Sequence, residues 1–440
     1  MTLNILMGLL AAAVTFVLAG IVARLGKKYR LHPEIRARDV HTNPTPRLGG
    51  VAMFGGLVVT LAVASQIPFF SVIFADSAKI WALLGAALII VIIGVTDDLF
   101  DLDWMIKLAG QILTAGLLAW QGVAIASLPL GGITIGSSTM SLILTIFAVV
   151  LVMNAVNFID GLNGLVAGVA IIANGVFYLY SYLLVQQTGA TSYFNLASLL
   201  SAIVVGVCVG FIPWNWFPAK LFMGDGGAYL VGLLMATSAV AVTGQIDPVQ
   251  IAAIGRSSLV PAFLPILLPV AILVVPFLDF ALAVTRRLRA GKSPFTADRQ
   301  HLHHRLLDMG HSQMHAVLIF YAWTAVVSVG GLLFFIAKPY QWAYLFLVVG
   351  VLICTVLTLA PLSRRKQIEA AAQKAPGVVV DPSVHSLDPL DAAAPELDAN
   401  SPLSGSIRLP YLPPGSHAAT PRAERRVKPA LPPSRTPPRT

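Results

Sequence analysis

The chain has 440 residues, 57% of them from the Ala, Val, Ile, Leu, Met, Phe, Trp, Tyr and Cys set and only 11% charged, with a mean hydropathy of +0.80. A composition this apolar excludes a soluble enzyme of that length. The formal charge of +9 and pI near 9.7 would suit nucleic acid if the basic residues formed one patch, but they fall in short clusters between long apolar runs, which points to a membrane.

A hydrocarbon core of roughly 30 Å needs about 20 apolar residues in helix, and eleven runs approach that length: 3–23, 48–70, 79–96, 108–127, 139–159, 162–184, 196–213, 227–245, 260–284, 316–337 and 341–362. The first is read as a retained span, because no Lys or Arg precedes it and the positive cluster follows it, the reverse of a signal peptide. The loop after it carries Arg24, Lys27, Lys28, Arg30, Arg36, Arg38 and Arg47, and ends in His41-Thr42-Asn43-Pro44-Thr45-Pro46-Arg47-Leu48-Gly49-Gly50. The third run ends in Asp97-Asp98-Leu99-Phe100-Asp101-Leu102-Asp103, and Lys107 opens the fourth. The fifth closes on Asn154-Ala155-Val156-Asn157-Phe158-Ile159-Asp160-Gly161, followed by Leu162-Asn163-Gly164. After the seventh come Asn215-Trp216-Phe217-Pro218-Ala219-Lys220 and Phe222-Met223-Gly224-Asp225-Gly226-Gly227.

The loop after the ninth run holds Arg286, Arg287, Arg289 and Lys292, then Thr296-Ala297-Asp298-Arg299-Gln300-His301-Leu302-His303-His304-Arg305. Arg364, Arg365 and Lys366 follow the last run. Positive loops stay cytoplasmic, so an odd number of spans places the N-terminus outside and the C-terminus inside. The expected fold is therefore all-α: a polytopic membrane protein of about eleven transmembrane helices over residues 1–366. Residues 367–440 carry 14 of the 29 prolines and no apolar periodicity, the composition of a disordered cytoplasmic tail. Cys208 and Cys354, the two cysteines, sit inside apolar runs, so a disulfide framework is excluded.

Solvation alone favours carboxylates at helix ends, because an Asp at the bilayer centre costs on the order of 3 kcal/mol. It does not explain their packing into three short motifs at one membrane face. Three acidic helix ends on that face can converge on a divalent cation. Mg²⁺ keeps water and substrate phosphates in its shell, so one or two carboxylates and an amide oxygen suffice, and Asp225, Asp160 and Asn154 fit. The glycines beside Asp225 permit close approach of backbone to a phosphate at a helix N-terminus, or simply tight helix packing. His301, His303 and His304 beside Arg299 and Arg305 can bind pyrophosphate or act near neutral pH as acid, base or metal ligand. A zinc site would normally recruit thiolates or a further spaced histidine.

In order and spacing these five segments resemble the polyprenyl-phosphate N-acetylhexosamine-1-phosphate transferases, glycosyltransferase family 4, the superfamily that also contains the phospho-MurNAc-pentapeptide translocase. The resemblance covers residues 1 to about 366. It implies that a polyprenyl phosphate, undecaprenyl or decaprenyl, attacks the β-phosphorus of a UDP-sugar with Mg²⁺, Mn²⁺ being a substitute, at the cytoplasmic face of the cell membrane. The products are lipid-diphosphate-sugar and UMP. Asp101 stands where the translocase branch has lysine, and His301-Leu302-His303-His304 resembles the His-x-His-His of the HexNAc-1-phosphate transferases. Both departures point to UDP-GlcNAc as donor and to initiation of a cell-wall or surface polysaccharide.

By the same resemblance, Asp97 or Asp98 serves the lipid phosphate and Asp225 is the principal Mg²⁺ ligand. Phe222 stacks on uracil, Asn215 hydrogen-bonds the nucleoside, and Asn163, where many relatives carry aspartate, offers an amide to the uracil edge. Arg47 is expected among the substrate-binding residues. Lys107 is either a phosphate ligand or a positive-inside residue. A homodimer is admitted and a nucleic-acid partner is not expected. A translocase-type enzyme using another UDP-sugar is the nearest alternative. From other classes come a secondary transporter, which should show midplane polar groups or an internal repeat, and a lipid-binding structural protein, which has no use for clustered aspartates.

Overall fold

The computed structural model of the protein describes residues 1–31, 45–125, 137–188, 192–243, 281, 284–289, 291, 302–337 and 339–374. Among them every regular element is helical: α1 (Thr2–Lys28), α2 (Gly49–Ala64), a 3₁₀ turn (Pro68–Phe70) leading into α3 (Ser71–Phe74), α4 (Ser77–Phe100), α5 (Trp104–Trp120), α6 (Ser138–Phe158), α7 (Leu165–Thr188), α8 (Ser192–Asn215), α9 (Gly224–Thr243), α10 (Leu302–Asp308), α11 (Gln313–Ile336) and α12 (Gln341–Lys374). Ten of the eleven apolar runs coincide with these helices. The run 260–284 lies outside the described residues except at 281 and 284, and the expected tail beyond 374 lies wholly outside them.

Eight of the ten are long and apolar enough to cross a bilayer alone. The second run is broken instead, its two parts bent by 99° at Ser65–Ile67, where Pro68 opens a new turn. The fourth is only 17 residues long. Helix α12 continues past residue 366 to Lys374, beyond the point at which composition alone ends the membrane domain.

Helix α9 is the central post: 89% of its span is buried, against 11% for α12, which lies on the outside of the bundle. Helices α2, α4, α6 and α8 all pack on α9, and α1 closes over α8. Small residues make the close contacts, with Gly206 and Gly210 of α8 against the α1 backbone at Gly8 and Ala12. Buried hydroxyls within these helices donate to carbonyls one turn back, as Thr114 does to Gly110 and Thr237 to Leu233 at 2.7 Å each, so no polar group faces hydrocarbon at those positions. The consequence for function is placement. The C-terminal ends of α1, α4, α6 and α8 and the N-terminal ends of α2, α5, α7 and α9 meet at one end of the bundle.

Candidate active site

Asp97 and Asp98 are adjacent on the last turn of α4, and the helical turn sends their side chains to different partners. Asp97, 8% exposed, accepts the Leu102 backbone N–H at Oδ1 (2.8 Å), while its Oδ2 receives Lys107 Nζ at 3.0 Å. It thereby closes the tight α4–α5 connection, in which Asp101 takes a left-handed φ of 55° and Asp103 caps α5 by accepting the Met105 N–H at 2.8 Å. Asp98 reaches across to α9, where its Oδ2 accepts the Asp225 backbone N–H at 2.9 Å. A carboxylate from one helix thus caps the positive end of another. Lys107, left between two roles by the sequence, is ion-paired at the site.

Asn154, Asn157 and Asp160 recur every third residue, which lines one face at the end of α6. Asn157, not Asn154, meets the central carboxylate: its Nδ2 donates to Asp225 Oδ1 at 3.0 Å. Asn154 lies one turn deeper and pairs with Gln111 of α5, its Nδ2 donating to Gln111 Oε1 at 2.5 Å and its Oδ1 accepting from Gln111 Nε2 at 3.4 Å. Of the two amides, the depth of α6 against α9 brings the outer one, Asn157, to Asp225, while Asn154 is engaged with Gln111. Asp97 and Asp225 come within hydrogen-bonding reach of each other. Just beyond α6, Asp160 is pushed up to about 7, chiefly by burial and then by the Asp225 charge, with Arg47 opposing. Arg47 stands in electrostatic reach of both Asp98 and Asp160.

Glycines make this convergence possible. The stretch around Arg47 and the first turn of α2 bond the loop before α9: Phe222 N–H to Pro46 O (2.9 Å), Gly49 N–H to Phe222 O (3.0 Å) and Gly50 N–H to Met223 O (3.1 Å). A Cβ on Gly50 or Gly94 would strike the Gly226–Gly227 backbone, so at Gly226 and Gly227 the packing reading holds. Gly224 differs, since its φ of +70° disfavours any side chain and a Cβ would run into the Asp98 carboxylate and the Arg47 carbonyl.

The loops beside this centre form a clamp. Gly164 donates its N–H to Asn215 Oδ1 (2.7 Å) and accepts the Tyr321 hydroxyl at its carbonyl, while Asn215 Nδ2 donates to Leu221 O at 3.0 Å. Asn215, 4% exposed, ties the Asp160–Gly164 loop to the Phe222 loop. Both its polar atoms are engaged within the protein, so its place in the structure is that of a tie between the two loops. Asn163 is buried in the clamped loop and Phe222 is half-buried at the rim. Arg287, counted from sequence only as a topological charge, lays its guanidinium over the Phe158 ring at 5.5 Å.

Arg299 and His301 lie outside the described residues. His303 and His304 fall on α10, where nothing of their side chains is described, and Arg305 is exposed there. Asn157, Gln111, Tyr229 and Tyr321 are not singled out by residue type in the sequence. Helical spacing is the signal for three of them, since Asn157, Gln111 and Tyr229 each stand three or four residues from a candidate site residue: Asn154 or Asp160, Lys107 and Asp225.

No group of three His, Cys, Asp or Glu side chains converges as a closed metal cage among the described residues. The donor set instead suits a hard cation that shares its shell with water and phosphate: Asp225, the Asn157 amide, and further carboxylates whose mutual repulsion a cation would relieve. Lys107 and Arg47 place positive charge beside these carboxylates.

Glycosyl transferase family 4 matches residues 80–243, a stretch that carries the aspartate pair, the asparagine face and Asp225. The chain is 38% identical over 366 residues to the decaprenyl-phosphate N-acetylglucosaminephosphotransferase of Mycobacterium leprae (strain TN), covering 82% of this chain and 91% of that protein. It is 39% identical over 364 residues to the protein of the same name in Mycobacterium tuberculosis (strain ATCC 25618 / H37Rv), covering 82% and 89%. A more distant relative, 28% identical over 336 residues with 74% and 82% covered, is the undecaprenyl-phosphate alpha-N-acetylglucosaminyl 1-phosphate transferase of Escherichia coli (strain K12).

Proposed function

The chain belongs to glycosyl transferase family 4, and on that premise we propose that it transfers GlcNAc-1-phosphate from UDP-GlcNAc to a polyprenyl phosphate, opening the synthesis of a cell-wall or surface polysaccharide. An oxygen of the lipid phosphate attacks the β-phosphorus of the donor. One P–O bond forms there, the bond from that phosphorus to the bridging oxygen breaks, and UMP leaves with the electron pair. The observation that carries this reading is the convergence of Asp98, Asn157 and Asp97 on Asp225 at a bundle end that also presents Lys107 and Arg47.

Asp225 and Asn157 would hold Mg²⁺, for which Mn²⁺ can substitute. When bound, the cation neutralises pyrophosphate oxygens and the charge that develops on departing UMP. Asp98 keeps Asp225 in place through its backbone N–H. Lys107, oriented by Asp97, binds a phosphate oxygen as a point charge. The lipid phosphate has a second pKa near 6 by analogy with phosphoserine, so it is mostly dianionic at neutral pH and needs little help from a base. Arg47 adds a second positive charge for the anion, and the sequence offers Arg299, His301, His303, His304 and Arg305 as further partners of the pyrophosphate, with Phe222 and Asn163 on the uracil side.

A panel of donors tests the substrate assignment. Purified protein supplied with polyprenyl phosphate and Mg²⁺ is expected to release UMP from UDP-GlcNAc and little from UDP-MurNAc-pentapeptide, and the opposite preference would reject the assignment. Asn215→Ala is expected to raise KM for the UDP-sugar about 10-fold with a smaller change in kcat, because losing the clamp costs on the order of 1–3 kcal/mol per buried backbone group left unmet. An unchanged KM would remove the clamp from substrate binding.

The site end of the bundle is assigned to the cytoplasmic face, supported by Arg24, Lys27, Lys28, Arg47, Lys107 and Lys220, all near it. Cys208 and Cys354 are buried, so they give a quiet background for labelling. Cysteines introduced at Ser293 and Ser383 should resist a membrane-impermeant thiol reagent in intact cells, and labelling at either would invert the topology.

A further inference from the structure

One turn beneath Asp225 lies a second polar layer that the transfer reaction does not touch. Gln111 on α5 is 1% exposed and Tyr229 on α9 is 3% exposed, and Asn154 of α6, half-buried, is bonded to Gln111. The two layers are in register. Lys107 and Gln111 stand four apart on α5, Asn157 and Asn154 three apart on α6, and Asp225 and Tyr229 four apart on α9. Each helix therefore gives one residue to the reacting layer and one, a single turn deeper, to the layer below.

The amides of the lower layer bond each other. Asn154 Nδ2 donates to Gln111 Oε1 at 2.5 Å and to Val150 O at 2.8 Å, Gln111 Nε2 donates back to Asn154 Oδ1 at 3.4 Å, and the Tyr229 hydroxyl lies within reach of the Gln111 amide. Where water is absent, a lost partner leaves an amide or hydroxyl unmet, so such a set favours one relative placement of the helices that carry it.

We propose that Gln111, with Asn154 and Tyr229, is a positioning device: it fixes the spacing of α5, α6 and α9 and so holds Asn157 against Asp225, the two residues that would hold a divalent cation. The proposal rests on the reading of Asp225 as cation ligand. It gives Asn154 a role that its bonds to Gln111 and Val150 permit. It also accounts for a glutamine and a tyrosine in the bundle interior.

The test uses the full chain purified in detergent. Gln111→Met keeps the length of the side chain and removes its hydrogen bonds. Binding of Mn²⁺ alone, followed by electron paramagnetic resonance without substrate, should weaken about 10-fold or more, the range found when partners of metal ligands are removed. The Mg²⁺ concentration for half-maximal transfer should rise by the same factor, with kcat at saturating Mg²⁺ and KM for polyprenyl phosphate nearly unchanged. A merely structural role would lower thermal stability and kcat without moving the metal dependence. Tyr229→Phe deletes one oxygen and should shift Mn²⁺ binding in the same direction by a smaller factor. Added to Gln111→Met it should bring little more, since both act through one hub.

If Gln111→Met fails to fold, Tyr229→Phe decides, and wild-type Mn²⁺ affinity in that variant overturns the proposal. Asp225→Asn measured alongside separates the two levels. Loss of Mn²⁺ in Asp225→Asn with wild-type affinity in the other variants rejects the positioning device alone. Full Mn²⁺ binding by Asp225→Asn rejects the cation reading and the device with it.

Discussion

Asp225→Asn is expected to lower transfer by roughly 10²–10³-fold, the equivalent of several kcal/mol of charge stabilisation at about 1.4 kcal/mol per tenfold. The substitution keeps size and one acceptor oxygen. The amide backbone N–H still reaches Asp98, so the helix cap survives and the fold should be unaffected. What disappears is a full negative charge from the centre on which Asn157, Asp97 and Asp98 converge. Raising Mg²⁺ or replacing it with Mn²⁺ should recover part of the loss, because the weakened step is cation binding. A variant with wild-type activity, or one that no cation concentration improves, would take Asp225 out of the metal site.

Gly94→Val should be nearly as damaging for a different reason. A Cβ at Gly94 meets the backbone of Asp225 and Gly226, and a backbone neighbour has no rotamer by which to withdraw. Overpacking ordinarily costs about 1–3 kcal/mol; here α4 must also move off α9, which parts Asp98 from the Asp225 N–H. Transfer is expected to fall about 100-fold with a lowered thermal midpoint, taking each 1.4 kcal/mol as tenfold. Gly85→Val is the control on the same helix, since a Cβ there comes no nearer than 3.6 Å to Leu117. Equal behaviour of the two variants would show that the α4–α9 contact does not set the site.

Helices were legible in the sequence because a run of apolar residues has no better option in a bilayer than to satisfy its own backbone. The break at Ser65–Ile67 was not, since Phe69 and Phe70 carry the apolar run past Pro68 and hydropathy does not register a change of direction. Among the site residues, residue type and clustering pointed to Asp97, Asp98, Asp160 and Asp225. The division of labour between Asp97 and Asp98 depends on which neighbour each side chain meets, and Asp225 is 127 residues from Asp98. Asn154 and Asn157 share one helix face, so only the depth at which α6 packs on α9 separates them. Asn215 reads from sequence as a polar residue in a loop, available to a ligand. Its commitment to Gly164 and Leu221 is a property of two loops brought together by tertiary packing.

The central claim is phosphosugar transfer at the Asp225 centre, and the fate of one phosphorus atom tests it most directly. Purified protein incubated with polyprenyl phosphate, Mg²⁺ and UDP-GlcNAc labelled at the β-phosphate should move that label into the lipid fraction together with GlcNAc, releasing unlabelled UMP in equal amount. Release of labelled UDP with GlcNAc alone on the lipid would mean attack at the sugar carbon, and would contradict the account.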